Sequence, residues 1–301
     1  MSQLKISRRT ALASAAAAPL LPLAASASAP MMGASLPQFR RVTLGEFEVT
    51  TLLGGSAVRD DIQTIFGTNV SAEEFTAVSV ENKIPADKAR FFFTPTVVNT
   101  GGALILFDTG LNAGDTTAAL GAAGYRADQI THVVLSHMHG DHIGGLMNDG
   151  AETFSNAAYV TGAVEFNTAG GDRFEDMVKP LAEKMTMLNP GDAVTGGIEA
   201  MDAFGHTPGH MAYLLDSGGQ QMLLAADFAN HYVWSLAYPD WEVRFDRDKA
   251  AAAATRRRIL SMLAAEKMPF IGYHMPFPAI GYVRTRDDGF AYDPMSYQLS
   301  F

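Results

Sequence analysis

Ser136-His137-Met138-His139-Gly140-Asp141-His142 places three imidazoles and a carboxylate within six positions of a chain that holds eight histidines. Neutral imidazole and carboxylate are ligands for divalent metals, so the segment reads as a metal site, with Zn2+ favoured and Fe, Mn or Co allowed. Alternate side chains of an extended loop share a side. His137 and His139 can therefore hold one ion while Asp141 and His142 face a neighbouring one. The chain has no Cys, so a metal must rest on His and carboxylates alone, and disulfides and thiolate nucleophiles are excluded. Three further segments carry matching residue types: Gly205-His206-Thr207-Pro208-Gly209-His210, Ala226-Asp227-Phe228 and Gly272-Tyr273-His274-Met275-Pro276. Asp227 is the candidate for a carboxylate between two ions. A lone strand-end His is more often a hydrogen-bonded structural residue, but beside the first cluster the ligand reading leads.

Each of these segments follows an apolar run that reads as a strand. Thr131–Leu135 is a buried-type strand running straight into the histidine cluster, and Ile198–Ala203, Met211–Asp216, Met222–Ala226 and Phe270–Tyr273 are further short strands. Thr96–Thr100 and Ala103–Phe107 flank Gly101-Gly102, a hairpin signature, and a second hairpin is expected over Gly281–Arg286 and Phe290–Asp293. Arg41–Leu53 reads as one strand. Helices are expected from Ser71, which opens a capping-box pattern, over Asp115–Ala123, over Phe174–Leu188 with a kink at Pro180, and over Asp246–Ala265 with Asp246 as N-cap. Strand runs interrupted by helices predict a layered α/β fold, with residues 41–301 as a single domain.

The 301 residues carry 22 Lys and Arg against 32 Asp and Glu, a net charge of −10 that argues against nucleic acid as a partner. Ser7-Arg8-Arg9-Thr10-Ala11-Leu12, an Ala- and Leu-rich stretch and Ala27-Ser28-Ala29 follow one another in the order of a twin-arginine (Tat) export signal cleaved after Ala29. The expectation is a periplasmic or secreted protein whose mature chain begins with an irregular arm over residues 30–40. No later apolar run reaches the roughly 18 residues that a membrane span needs.

With these segments in place, the chain resembles the metallo-β-lactamase superfamily, whose HxHxDH motif matches His137, His139, Asp141 and His142. The resemblance extends over nearly all of residues 41–301. It implies an αββα sandwich with a dinuclear site at one edge: His137, His139 and His206 on one metal, Asp141, His142 and His274 on the other, and Asp227 between them. It also implies a structural role for Asp108 beneath the site and a loop-orienting role for His210. Within the superfamily, Leu44-Gly45-Glu46-Phe47-Glu48-Val49-Thr50, His206-Thr207-Pro208-Gly209-His210 and Phe277-Pro278-Ala279-Ile280-Gly281-Tyr282-Val283 are similar to the exported methyl parathion hydrolases and their quorum-quenching lactonase relatives.

That likeness implies a hydroxide held between two divalent metals as nucleophile, with Asp141 and Asp227 holding the metals and accepting a hydrogen bond from it. The expected substrates are small lactones and esters, N-acyl homoserine lactones among them, with phosphotriester hydrolysis as a side activity. A dedicated aryl phosphotriesterase and a non-catalytic metal-binding module are the alternatives. Lactonases of this group commonly place a Tyr three residues after the bridging Asp, where this chain has Asn230, with His231 and Tyr232 close behind. Phe93, Phe166, Phe228 and Phe277 are expected to complete the pocket with Asn230, His231 and Tyr232. Related enzymes are often dimers, so a homodimer is expected, with Met31-Met32 in an arm that copies can exchange.

Overall fold

Val97 and Val98, neighbours on one strand, belong to two different hydrophobic cores. The same alternation separates Leu106 from Ile105 and Phe107, and Val133 and Leu135 from Val134. Successive side chains of a strand point to opposite faces, so uniformly apolar strands mark a sheet covered on both sides. The structure, a computed structural model, describes Ala29 and residues 31–296. The twin-arginine segment expected over residues 1–29 therefore lies, Ala29 aside, outside the described residues. Residues 31–37 have no regular secondary structure, and the described residues from Leu36 onward form one compact unit.

Seven strands, Phe39–Leu44, Phe47–Leu52, Thr96–Asn99, Leu104–Phe107, His132–Leu135, Ala158–Gly162 and Met185–Leu188, are hydrogen-bonded in that order into a first sheet. A second is built in the same sequential way from Ala193–Thr195, Ile198–Asp202, Met211–Ser217, Gln220–Ala226, Phe270–Gly272, Ile280–Arg286 and Gly289–Pro294. Between the sheets lies a core that includes Val49, Val98, Phe107 and Val134 from the first and Tyr213, Leu224 and Ile271 from the second. Helix Ala113–Ala122 covers the first sheet with Ala119 and Leu120, and helix Lys249–Glu266 packs Ile259, Leu260 and Leu263 on the second. The fold is the αββα sandwich. Each fully buried Val, Leu or Ile in such a core contributes roughly 1.5–3 kcal/mol relative to exposure. A third core, with Ile62, Phe66, Phe75, Trp234 and Trp241, lies against a separate ribbon of Ser56–Asp60 and Lys88–Phe92.

Three expectations about elements differ from the structure. The single strand over Arg41–Leu53 is a hairpin, because Gly45 takes a left-handed φ of 58° and Glu46 N–H donates to Ser217 Oγ at 2.9 Å. A Cβ at Gly45 would lie 2.1 Å from the Ser217 carbonyl oxygen, so only glycine brings this turn against the second sheet. The helix expected over Phe174–Leu188 is a short helix Asp172–Met177, a 3-10 turn Lys179–Lys184 and the strand Met185–Leu188. Pro180, which has no N–H to donate, stands at the start of the 3-10 turn. The last helix is capped by Asp248, whose side chain accepts from Ala251 N at 3.0 Å, and Asp246 is left free for another use.

Candidate metal centre

Strands Leu104–Phe107 and His132–Leu135 run parallel, so their carboxyl ends deliver Asp108 and Ser136 to the same edge of the first sheet. Asp108 turns out of its strand at a φ of 57° and accepts from Ser136 N and Ser136 Oγ, both at 2.8 Å. Its Oδ2 also stands 2.8 Å from His142 Nδ1, so one carboxylate fixes both ends of the histidine loop. With Nδ1 held in this way, His142 Nε2 faces the site. Close behind, Gly144 and Gly145 approach the carbonyls of Leu111 and Thr109 where a Cβ would lie 2.1 Å from each oxygen.

On the second sheet, Gln220–Ala226 runs parallel to Phe270–Gly272 and antiparallel to Met211–Ser217. The end of the first, the end of the second and the start of the third therefore share one edge, and they bring Asp227, His274 and the loop 205–210 together. Met211 N donates to Ser136 O at 3.0 Å and joins the two sheets at this point.

Two groups of donor atoms result, each within 4.8 Å: His137, His139, His206 and Asp227, and Asp141, His142, Asp227 and His274. In the first, His139 Nδ1 lies 3.0 Å from both His137 Nε2 and His206 Nε2. In the second, His274 Nε2 lies 3.1 Å from Asp227 Oδ2 and 3.3 Å from Asp141 Oδ2. His142 Nε2 and Asp227 Oδ1 are buried without a hydrogen-bond partner and face each other at 3.4 Å. An orphaned buried donor atom costs on the order of 1–3 kcal/mol, so a cluster of them is tolerated where a ligand completes it. The converging imidazoles, the central carboxylate and the orphaned atoms fit two divalent cations.

The electrostatics agree. Burial and the neighbouring His142 and His139 hold His137 well below the ordinary imidazole range, and burial with His206 brings His139 down to about 4. Both are neutral at neutral pH, as a metal ligand must be. In the second group burial works to raise the Asp141 carboxyl, but His142 and His274 overcome it and hold the group at about 2. Burial likewise opposes ionisation of Asp227, and His274 and His142 keep its carboxyl well below the usual range. The protein alone meets these buried carboxylates with protonated imidazoles, so the pocket calls for positive charge.

Other residues hold the donors in place. His206 Nδ1 lies 2.9 Å from Asp246 Oδ1, whose Oδ2 accepts from the fully buried Arg256 at 2.7 Å. His274 Nδ1 is 2.8 Å from the Phe92 carbonyl. Glu165, also buried, accepts from Met138 N at 2.9 Å, Thr207 Oγ1 at 2.7 Å and Gly209 N at 3.1 Å, and so binds the histidine loop to the loop of His206. Tyr273 Oη donates to Asp141 O at 2.5 Å. Sequence reading did not find Asp246, Arg256, Glu165 or Tyr273 as site residues, since none lies in a cluster; Tyr273 adjoins His274 and was the one within reach. His210 belongs to neither donor group, and its Nε2 accepts from Asp227 N at 3.0 Å.

His139, Asp141, His206, Asp227 and His274 line a cleft of about 540 Å3, with His137 and His142 buried beneath it. Of the expected pocket residues, Phe93 lines it, and Asn230 lies behind it, donating from Nδ2 to Asp227 Oδ2 at 2.9 Å. The others are elsewhere. Phe166 packs on Phe174 at the outer core, Phe228 is buried in the central core, and Phe277 is outside the lining. His231 and Tyr232 border a separate cavity with Trp234 on another side of His274. His231 Nδ1 accepts from Val233 N and Trp234 N at 3.2 Å each, and Tyr232 packs on the central core. Phe91, Ile65, Leu111 and Phe245 line the cleft instead.

Residues 94–266 match the Metallo-beta-lactamase superfamily. A curated relative, an atrochrysone carboxyl ACP thioesterase of Emericella nidulans, is 31% identical over 121 residues, which are 40% of this chain. The matched region spans 35% of that relative's length, about a third of it. Among solved structures, the dizinc quorum-quenching lactonase AidC, in complex with a product, superposes with a TM-score of 0.79 at 25% identity, over 86% of this chain and 98% of that one. The hydrolase AbOPH of the beta lactamase superfamily gives 0.79 at 21% identity, over 88% and 99%. With the HxHxDH loop, the αββα sandwich and the donor groups at its edge, the chain belongs to the metallo-beta-lactamase superfamily.

Proposed function

We propose that the chain is an exported dinuclear-metal hydrolase of lactones and esters, thioesters included, with His137, His139 and His206 on one ion, Asp141, His142 and His274 on the other, and Asp227 shared. The observation that carries this reading is the pair of donor groups meeting at Asp227 on the floor of a cleft with an apolar wall. When bound, two divalent cations supply Lewis acidity, acidifying water towards neutral pH and polarising a carbonyl or phosphoryl oxygen. The protein's own part is positional. Asp141 and Asp227 offer carboxylate oxygens as hydrogen-bond acceptors at the reacting centre, and His210 and Asn230 hold Asp227 from its backbone and its side chain. Phe91, Phe93, Ile65 and Leu111 give an acyl or aryl group a dry surface, and the two phenyl rings suit an aromatic leaving group, which supports phosphotriester turnover as a second reading. Export rests on Arg8-Arg9 and the segment after it.

The test is kcat/KM of the zinc-reconstituted mature protein on an N-acyl homoserine lactone, a 4-nitrophenyl ester and methyl parathion. Lactone or ester turnover is expected to exceed that of methyl parathion and to vanish with chelation. His142→Ala should cost roughly 100-fold or more, since even outer partners of ligands cost about 10- to 100-fold. Faster methyl parathion turnover would favour the second reading, and metal-independent rates would overturn both.

A further inference from the structure

Three arginines border the same cleft: Arg59 on the strand Ser56–Asp60, Arg173 on the helix Asp172–Met177, and Arg244 in the segment before the last helix. Among the described residues none of the three pairs with a carboxylate, whereas Arg126, Arg257, Arg258, Arg284 and Arg286 do; Arg41, Arg90 and Arg247 also lack a carboxylate partner, but they do not line this cleft. The carboxylates that line the cleft are Asp141 and Asp227, both taken up by the donor groups. In a chain of net charge −10, three unpaired guanidinium groups gathered on one cleft are not the average surface. Arg173 Nη2 donates to the carbonyls of Leu111 at 3.1 Å and Gly140 at 3.2 Å, which sets its guanidinium against the histidine loop at Gly140 with Nη1 and Nε uncommitted. The Arg244 guanidinium lies 4.9 Å from the centroid of the Phe245 ring, which is itself exposed at the cleft.

We propose that the substrate carries an anionic group, a carboxylate or a phosphate, away from the bond that is cut, and that Arg59, Arg173 and Arg244 recognise it. This rests on the hydrolase reading above. Guanidinium binds either anion through paired N–H donors, in a fork that an ammonium lacks. The apolar wall of Phe91, Phe93 and Ile65 lies in the same cleft, so the preferred molecule combines an apolar body with a charged end. The preference separates such substrates from uncharged esters and lactones of equal length.

Three esters of the same alcohol and similar acyl length make the comparison on the zinc-loaded protein: 4-nitrophenyl valerate, which is neutral, the 4-nitrophenyl monoester of glutarate, and the 4-nitrophenyl ester of 4-phosphonobutyrate. At least one anionic ester is expected to exceed valerate about tenfold in kcat/KM, the worth of one charge-assisted hydrogen bond. The faster of the two identifies carboxylate or phosphate as the group. In Arg59→Gln/Arg244→Gln the ratio should fall towards one through KM; Arg173 is left in place because it also holds two loop carbonyls. Raising NaCl from 0.05 to 0.5 M on the unaltered protein should shrink the ratio as well, a readout that does not depend on how the variant folds. Calorimetry on the metal-free protein adds a measurement apart from turnover, with glutaranilic acid expected to bind more tightly than butyranilide. Equal rates on neutral and anionic esters, with equal binding of the two anilides, would overturn the proposal and leave the hydrolase reading standing. Failure of that reading shows differently, as no metal-dependent turnover of any of the three esters.

Discussion

Asp246 serves two buried partners, the His206 imidazole at Nδ1 and the Arg256 guanidinium, whose other acceptors are the uncharged carbonyls of Pro239 and Trp241. Breaking a buried ion pair from one side leaves an uncompensated charge and costs roughly 3–5 kcal/mol. Asp246→Ala should therefore lower the urea-unfolding free energy by about that amount. The double variant Asp246→Leu/Arg256→Met should recover much of the loss, because both charges go together. It should still weaken zinc about 10- to 100-fold, because His206 loses the acceptor that orients it. Zinc affinity restored along with stability would show that Asp246 acts on the fold and not on the imidazole. These residues also mark where sequence reading stops at this scale. His137, His139, Asp141 and His142 were legible because four donors in six positions have no other common use. Asp246 meets His206 across 40 residues and looked like a helix cap, a role that Asp248 fills two positions later.

Strands carry the site to one edge, and their ends were legible wherever an apolar run stopped at a His or an Asp. Less legible were elements made by local conformation: the turn at Gly45, the 3-10 segment after Met177 and the ribbon holding Arg59 and Phe91. Asn230, His231 and Tyr232 are expected from the sequence to line the pocket, yet His231 serves the backbone, accepting two N–H groups and stacking on Trp234 at 4.0 Å between ring centroids. Burial pushes this imidazole down from its ordinary 6.5 to about 3. Between those values the unfolded chain holds a proton on His231 that the folded chain does not, so stability falls as pH falls. One such proton is worth about 1.4 kcal/mol per pH unit. His231→Asn, whose Oδ1 can stand in for Nδ1, should remove that part of the slope. Urea-unfolding free energies at pH 7, 6 and 5 for the two proteins measure it. Parallel slopes would mean that the histidine is protonated in the folded state over this range.

On the scale of the whole molecule, the layered α/β fold was legible from the order of strands and helices, whereas the proposed export rests on the first residues alone, which lie outside the described structure. If export uses the twin-arginine route, Arg8→Lys/Arg9→Lys should retain the unprocessed chain in the cytoplasm, which fractionation and the mature N-terminus would show. A last consequence follows from the strictly sequential order of both sheets. Among the described residues, every strand of the first ends at or before Leu188 and every strand of the second begins after it, so residues 189–192 are where the chain passes from one sheet to the other. The donors divide at the same point, His137, His139, Asp141 and His142 before it and His206, Asp227 and His274 after it. The protein is thus a natural pair of half-molecules. Cut within 189–192 and co-expressed, the two fragments should reassemble with zinc as their joint, and neither half alone should retain it.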